Sequence, residues 1–177
     1  GTTNVTNGRF GGAKSFDGVN DYILTSSDMV GTGADTACAW IYPKGWGESN
    51  DGNVISNNKF RLYITTTNDR LTFTSDNSNS SSSATNSISL NTWQHICIER
   101  NSTGSANLYV DGSLSGTANQ TSGPPTAGDT NLYIGSLGQW NRYFNGSIDD
   151  VLIFNRSLSA EEIISLYNAT STYHNFT

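Results

Sequence analysis

The sequence predicts an all-β fold, an antiparallel β-sandwich of two sheets with one short C-terminal helix. Short apolar segments alternate with turn residues over most of the chain, and only the last part has the pattern of a capped helix. The composition agrees, since 14% of the residues are charged, 18 are Gly, and Ser, Thr and Asn are abundant. A length of 177 residues suits one domain with a sizeable core.

The predicted strands are short and separated by turn signals. The run DGVND at 17–21 interrupts the first strand and predicts a turn or bulge. Pro43 is predicted to end the second strand, because proline lacks the N–H that a sheet interior uses. The predicted strands are 15–25, 36–42, 54–56, 60–66, 70–75, 93–100, 106–110, 114–118, 131–135 and 148–154.

Loops are predicted where polar and turn-forming residues accumulate. Residues 44–53 form a loop that carries Trp46, and residues 138–142 form an exposed tip that carries Trp140. The Ser- and Asn-rich run at 76–87 has low complexity and predicts a long mobile loop.

The last predicted strand is apolar on both faces, which is typical of a strand covered on both sides. Because side chains alternate along a strand, Val151 and Ile153 point one way and Leu152 and Phe154 point the other. The preceding dipeptide Asn145-Gly146 predicts a hairpin turn.

The terminal helix is marked by its cap. Ser159 is the predicted N-cap, and Glu162 stands three residues later to close a capping box. Leu158 and Ile163 occupy the two positions of a hydrophobic staple. A helix this short needs packing against the sheet to persist.

The segment FNGSIDDVLIFNRSLSAEEIISLY at 144–167 resembles the C-terminal signature of the laminin-G-like domains of the concanavalin A-like lectin/glucanase jelly-roll family. Other segments resemble that family in the same chain order: KSFDGVNDYI at 14–23, ACAWIYP at 37–43, WQHICIER at 93–100 and LYVDG at 108–112. The resemblance implies a jelly roll. It does not fix the ligand, because this fold hosts lectins, enzymes, adhesion modules and spacers.

The resemblance divides the chain into three parts. Residues 1–12 are an N-terminal arm, 13–169 are the jelly-roll domain, and 170–177 are a polar tail. No signal-peptide pattern is present at the start. We therefore interpret the chain as a mature fragment or a domain of a larger multidomain protein.

Charge and hydropathy argue against nucleic acids and membranes as partners. The net charge is −6 and the sequence pI is about 4.6, whereas nucleic-acid binders are usually basic. The low Lys and Arg content disfavours anionic membrane surfaces, and no apolar run approaches the roughly 20 residues that span a bilayer.

Asn-x-Ser/Thr sequons are frequent. They arise by chance in a chain rich in Asn, Ser and Thr, or they mark a glycosylated extracellular protein of the cell surface. The sequons are at Asn4, Asn79, Asn101, Asn119, Asn145, Asn155, Asn168 and Asn175.

Two cysteines, Cys38 and Cys97, lie in predicted strands that are near each other in the family fold. The resemblance allows an extracellular disulfide between them, and the alternative is two small buried thiols. Zinc is disfavoured, because two isolated cysteines lack the usual ligand spacing.

The sequence offers little for catalysis. His95 lies in a predicted strand and His174 in the tail, and no Gly-x-Ser-x-Gly elbow is present. Jelly-roll hydrolases carry a Glu-x-Asp-x-(x)-Glu pattern on one strand, which this chain lacks. The chain is therefore predicted not to be an enzyme, and its glutamates are Glu48, Glu99, Glu161 and Glu162.

Two oxygen-rich segments are candidates for a structural calcium. The family resemblance carries Asp17 and Asp149 over first, and Asn20 and Asp150 more weakly. Calcium prefers such hard oxygen ligands, and an ion here would brace the two chain ends. The alternative is that these carboxylates accept backbone N–H bonds and brace their own loops.

Loop aromatics are candidates for sugar binding, because lectins stack rings on the apolar face of a pyranose. Trp46 and Trp140 are the predicted rings, with Tyr143, Arg142 and Asn141 beside them. The alternative is that these rings cap the ends of the sandwich. Trp40 and Trp93, in predicted strands, are expected in the core.

The leading hypothesis is a non-catalytic extracellular recognition module that binds a glycan or a cell-surface protein, with a structural Ca²⁺. The second is an architectural spacer or protein-interaction domain without a small ligand. A glycoside hydrolase or lyase is the third, and the carboxylate pattern disfavours it.

Overall fold

The computed structural model describes residues 1–6, 8–9, 11–75, 79–118 and 126–171. Strands and one α-helix, α1 (Ala160–Ser171), make up most of this part of the chain, with short 3-10 helices at Glu48–Asn50 and Gly138–Trp140. The strands are β1 (Thr3–Val5), β2 (Ala13–Asp17), β3 (Ile23–Leu24), β4 (Asp35–Gly45), β5 (Asp51–Ser56), β6 (Phe60–Thr65), β7 (Arg70–Ser75), β8 (Asn79–Ser82), β9 (Gln94–Arg100), β10 (Ala106–Val110), β11 (Ser113–Ala118), β12 (Tyr133–Ile134) and β13 (Asn145–Phe154).

The strands form two antiparallel sheets, which confirms the predicted sandwich. The seven-stranded sheet has the order β1-β2-β13-β4-β9-β10-β11, and the six-stranded sheet has the order β3-β12-β5-β6-β7-β8. Apolar side chains of both sheets meet in one core, where the Phe16 and Phe144 rings pack edge to face at 6.3 Å. The predicted first strand is split at the DGVND run, because β2 belongs to one sheet and β3 to the other.

Strand β13 is covered on both faces, as its apolar alternation predicts. Val151 and Ile153 pack against the core between the sheets. Leu152 and Phe154 pack on the opposite face, in a second cluster beneath α1. This strand therefore joins the sandwich to its helix.

The predicted hairpin turn at Asn145-Gly146 is wrong, because both residues lie inside β13. Asn145 pairs with Gly45 and Gly146 with Pro43, across an irregular step in the register. Gly146 has φ 146°, and a β-carbon there would fall on the Tyr42 carbonyl oxygen. The glycine thus serves a close approach between strands rather than a turn.

Two further local predictions are wrong. Pro43 does not end its strand, since β4 continues to Gly45. Pairing between β4 and β9 ends at Ile41 with Gln94, so no strand on that side requires the missing proline N–H.

The run at 76–87 is not wholly a loop, because Asn79–Ser82 forms edge strand β8 on β7. Residues 76–78 lie outside the described part.

The cap of α1 is confirmed in both directions. The Ser159 N–H donates to Glu162 Oε2 at 2.9 Å, and the Glu162 N–H donates to Ser159 Oγ at 3.3 Å. Leu158 and Ile163 are both buried. Full burial of a side chain such as that of Ile163 contributes about 1.5–3 kcal/mol to stability. This burial holds the helix against the sheet.

A disulfide joins Cys38 of β4 to Cys97 of β9, as the family resemblance allows. The two residues are direct partners in the antiparallel register, with Cα atoms 4.1 Å apart. Both are fully buried, together with Tyr109, Leu158 and Ile163. The bond therefore links two central strands beneath α1.

Candidate functional site

The loop of Trp46 and the loop of Tyr143 lie side by side. The Glu48 N–H donates to the Tyr143 carbonyl oxygen at 3.0 Å. Trp46 itself is half-buried and packs against the sandwich core. Its ring therefore caps this end of the core, which limits the surface it can offer a ligand.

Arg142 is held by strand β5. Its Nη1 donates to Asp51 Oδ2 at 2.9 Å, and its carbonyl oxygen accepts the Asn53 Nδ2 donor at 3.0 Å. The Arg142 side chain is 35% exposed. Its remaining guanidinium donors are therefore open to water or to a ligand.

Arg61 completes this polar cluster from strand β6. Its Nε donates to Asn53 Oδ1 at 2.7 Å and its Nη2 to Asp51 Oδ2 at 3.3 Å. The guanidinium carbon lies 3.8 Å from the centre of the Tyr63 ring, in a cation–π contact. Burial lowers the pKa of Arg61 from its ordinary value, although the guanidinium stays charged. We call Asp51, Asn53, Arg61, Tyr63 and Arg142 the arginine cluster.

Trp140 is the most exposed large aromatic side chain of the described chain. It is 70% exposed and ends the short helix Gly138–Trp140. Asn141 follows in the left-handed conformation, with φ 48°, and its Oδ1 accepts the Tyr143 hydroxyl at 3.2 Å. Trp140, Asn141, Arg142 and Tyr143 are thus consecutive residues of one loop, which we call the rim.

Asp17 braces its own turn. Its Oδ1 accepts the Val19 N–H at 2.8 Å and the Asn20 N–H at 3.2 Å. These amides lower the pKa of Asp17 below its ordinary value. Asn20 is exposed, whereas Asp21 is buried and pairs with the N-terminal amine of Gly1 at 3.0 Å.

Asp149 and Asp150 lie at a bulge of β13. The register steps between Asp149 and Leu152, and Asp150 has φ 45°. Asp149 is opposite Trp40 and is buried against the N-terminal arm, where a β-carbon on Gly8 would lie 2.6 Å from Asp149 Oδ2. Burial, and then the charge of Asp149, raises the pKa of Asp150.

The structure does not bring the two predicted calcium segments together. Asp17 pairs with Asn145, and Asp149 is four residues further along β13, about 13 Å away at the usual rise per residue. Calcium ligands lie within about 2.6 Å of the ion, so Asp17 and Asp149 cannot share one. A calcium at either segment alone remains a prediction.

The residues weighed for catalysis have structural surroundings. His95 is buried between the Trp40 and Tyr167 rings, and burial lowers its pKa to about 4. Glu162 caps α1 and pairs with Arg156 at 2.7 Å. Over the described ranges, the one close group of three His, Cys, Asp or Glu side chains is Cys38, His95 and Cys97, and both cysteines are in the disulfide. His174 lies outside the described residues.

Sequence reasoning missed a groove on the outer face of the seven-stranded sheet. Its volume is about 630 Å³, and Tyr42, Lys44, Trp93, Ser147 and residues 4–6 line it. Trp93 was expected in the core and is instead half-buried here. A signal existed in the sequence, since Tyr42 follows Cys38 and Trp40 on the strand face opposite Ile41.

The chain belongs to the concanavalin A-like lectin/glucanases superfamily, whose family model matches residues 17–164. A search of curated proteins found no match. Among the described residues, no helix is long and apolar enough to cross a membrane.

Solved structures share this fold at low identity. Domain 4 of AbnA, a GH43 extracellular arabinanase from Geobacillus stearothermophilus, was solved with arabinotriose; it has a TM-score of 0.74 and 16% identity, over 94% of this chain and 81% of that one. A heptameric SAP-like pentraxin from Limulus polyphemus has a TM-score of 0.71 and 18% identity, over 86% and 80%. The CBM40 of a Ruminococcus gnavus IT-sialidase, bound to α2,3 sialyllactose, has a TM-score of 0.63 and 17% identity, over 76% and 82%.

Proposed function

We propose that this chain is a non-catalytic carbohydrate-binding module that takes its ligand at the rim and the arginine cluster. The proposal rests on one observation: the exposed indole of Trp140 is two residues from Arg142, whose guanidinium is only partly used by Asp51. Sugar sites combine such a ring with a few fixed polar donors.

The geometry assigns separate tasks to these residues. Trp140 supplies an apolar surface for one face of a pyranose. Arg142 and Arg61 supply N–H donors for hydroxyl or carboxylate oxygens, and one shared carboxylate, Asp51, leaves the trio with a net positive charge. Asn53 is fully buried and binds the Arg61 Nε donor and the Arg142 backbone carbonyl oxygen, while Asp51 binds both guanidinium groups. The donors are therefore positioned before a ligand arrives.

Related structures support a binding role. An arabinotriose complex and a sialyllactose complex are among the solved structures with this fold. Catalysis is disfavoured here because His95 is buried and neutral and Glu162 serves the helix cap. We propose an extracellular setting, because disulfides persist in oxidising compartments.

Truncation of Trp140 is expected to weaken glycan binding at least about tenfold, which corresponds to ~1.4 kcal/mol. The measurement is binding of the purified chain to a glycan microarray, followed by calorimetry with the best ligand. Stability is expected to change by less than about 0.5 kcal/mol, because the ring is exposed. Arg142→Met is expected to reduce binding as well, by removing its donors.

The matched control is Leu114→Ala, which removes another exposed large side chain. Leu114 lies on β11 of the seven-stranded sheet, whereas β5 and β6 of the arginine cluster are in the six-stranded sheet. It should leave binding unchanged. Glycan binding that survives both Trp140→Ala and Arg142→Met would place the ligand elsewhere. A wild-type chain that binds no glycan would favour the spacer or protein-interaction role.

A further inference from the structure

The groove defined above is built by neighbouring strands of the seven-stranded sheet. Ser147 of β13 is the register partner of Tyr42 on β4, so their side chains share a face. Lys44, two residues beyond Tyr42 at an irregular step of the register, also lines the groove. Trp93 immediately precedes β9 and lies on the other side of Tyr42, with ring centroids 5.6 Å apart and planes inclined at 56°.

The groove has the dimensions of a ligand site. Its volume of about 630 Å³ falls in the usual range for small-molecule pockets. Residues 4–6 form a wall on the side of strand β1. Tyr42 and Trp93 are only half-buried, so two adjoining ring faces border an open concavity rather than a sealed core.

Polar groups in the groove are available to a ligand. In the described part of the chain, the Tyr42 hydroxyl, the Trp93 indole N–H and the Lys44 ammonium have no hydrogen-bond partner. Thr6 adds an exposed polar side chain at the wall. The Asn4 side chain lies on the other face of the sheet, where its Oδ1 accepts the Lys14 ammonium at 2.6 Å. Aromatic rings beside unpaired donors are what sugar recognition requires.

The charge of the groove differs from that of the whole chain. The chain carries a net charge of −6, whereas the groove lining contains Lys44 and no Asp or Glu. Among the described residues that line the groove, the one charged side chain is thus a cation. The lining therefore favours a ligand with one negative group placed next to an apolar ring face.

We propose that this groove is a second binding site, specific for a glycan unit that carries a carboxylate. The pyranose packs on Trp93 and Tyr42, and the carboxylate pairs with Lys44. The Tyr42 hydroxyl and the Trp93 indole N–H donate to ring hydroxyl or carboxylate oxygens. Because β5 and β6, which carry most of the arginine cluster, belong to the other sheet, the two sites would engage separate units, and each can fail without the other.

The test compares matched acidic and neutral ligands. The probes are the methyl glycosides of glucuronic, galacturonic and N-acetylneuraminic acid, each beside its uncharged counterpart: glucose, galactose and the neuraminic methyl ester. NMR titration of the whole chain reports the Trp93 indole N–H together with the backbone amides. At least one acidic probe is expected to shift this signal and to bind about tenfold more tightly than its neutral counterpart.

Substitutions at Lys44 separate charge from packing. Lys44→Met is expected to remove the preference for the acidic probe, Lys44→Arg to retain it, and Arg142→Met to leave it unchanged. Trp93→Leu keeps an apolar side chain and is expected to weaken acidic and neutral probes alike. Equal affinity for acidic and neutral probes, no shift of the Trp93 signal with any probe at about 10 mM, or a preference that survives Lys44→Met would each overturn the proposal.

Discussion

Replacement of both Cys38 and Cys97 by alanine is expected to lower the free energy of unfolding by about 4 kcal/mol in the chain-entropy model. The disulfide closes a loop with a sequence separation of 59, and its loss releases that constraint on the unfolded chain. Since a domain is stable by only about 5–15 kcal/mol, the loss is a large part of the total.

Denaturant unfolding of the oxidised wild type and the double alanine variant measures this loss. The control is the wild type reduced with dithiothreitol, which keeps both sulfur atoms in the fully buried site. The reduced wild type should lose nearly as much stability as the variant, and any difference reports the packing of the two thiols. A loss below about 1 kcal/mol would contradict the role assigned to the bond.

Arg100→Met is expected to destabilise the chain by about 3–5 kcal/mol, because it leaves the Asp35 carboxyl buried without its cation. Both side chains are almost completely buried, and they form an ion pair at the end of β4 and β9. Arg100 also donates to the Gly31 carbonyl oxygen at 2.6 Å. Its guanidinium faces the Phe60 ring at 5.4 Å.

The effect of this substitution depends on pH in a defined direction. Burial raises the pKa of Asp35 to about 6 even beside Arg100. Between its ordinary value of 3.8 and about 6, the folded chain holds the proton more tightly, so this group makes stability fall as pH rises. Without the arginine the pKa rises further, and the variant should be less impaired at pH 5 than at pH 8.

The double variant Asp35→Leu, Arg100→Met is the matched control. Replacement of both partners removes the uncompensated charge, so most of the lost stability should return, and its pH dependence should flatten. Urea unfolding of the three proteins at pH 5 and pH 8 measures both effects. A double variant as unstable as Arg100→Met would show that the buried charge is not the cause.

The features that sequence predicts well are those encoded locally. The capping box at Ser159 and Glu162 needs only four consecutive residues, and its reciprocal bonds form as expected. The two apolar faces of β13 follow from alternation at Val151 and Leu152. Together with the family motifs, such signals are sufficient for the sandwich and its terminal helix.

Features that depend on register between distant strands were beyond the sequence. Asp17 and Asp149 match family motifs, yet the pairing of β2 with β13 sets them four residues apart. Asn145-Gly146 has turn chemistry, but the nearness of β4 explains its glycine. A single sequence shows propensity, and it does not show which strand lies alongside.

The same limit applies to the candidate sites. Trp46 lies in a loop and packs on the core, whereas Trp93 lies beside a strand and lines the groove. Whether an aromatic residue lies in a loop or in a strand does not determine how exposed its side chain is, because the outer face of a sheet can be open to solvent. The groove needs Tyr42, Trp93 and Ser147 from three chain segments, which only the sheet order brings together.

Titration of the ¹⁵N-labelled chain with an oligosaccharide selected on the array tests the binding function most directly. Amide shifts confined to residues 138–143 and the arginine cluster, or to these and the groove, with the oligosaccharide intact at the end, are the result predicted here. Uniformly absent shifts, shifts centred away from both surfaces, or cleavage of the oligosaccharide would contradict a non-catalytic carbohydrate-binding module.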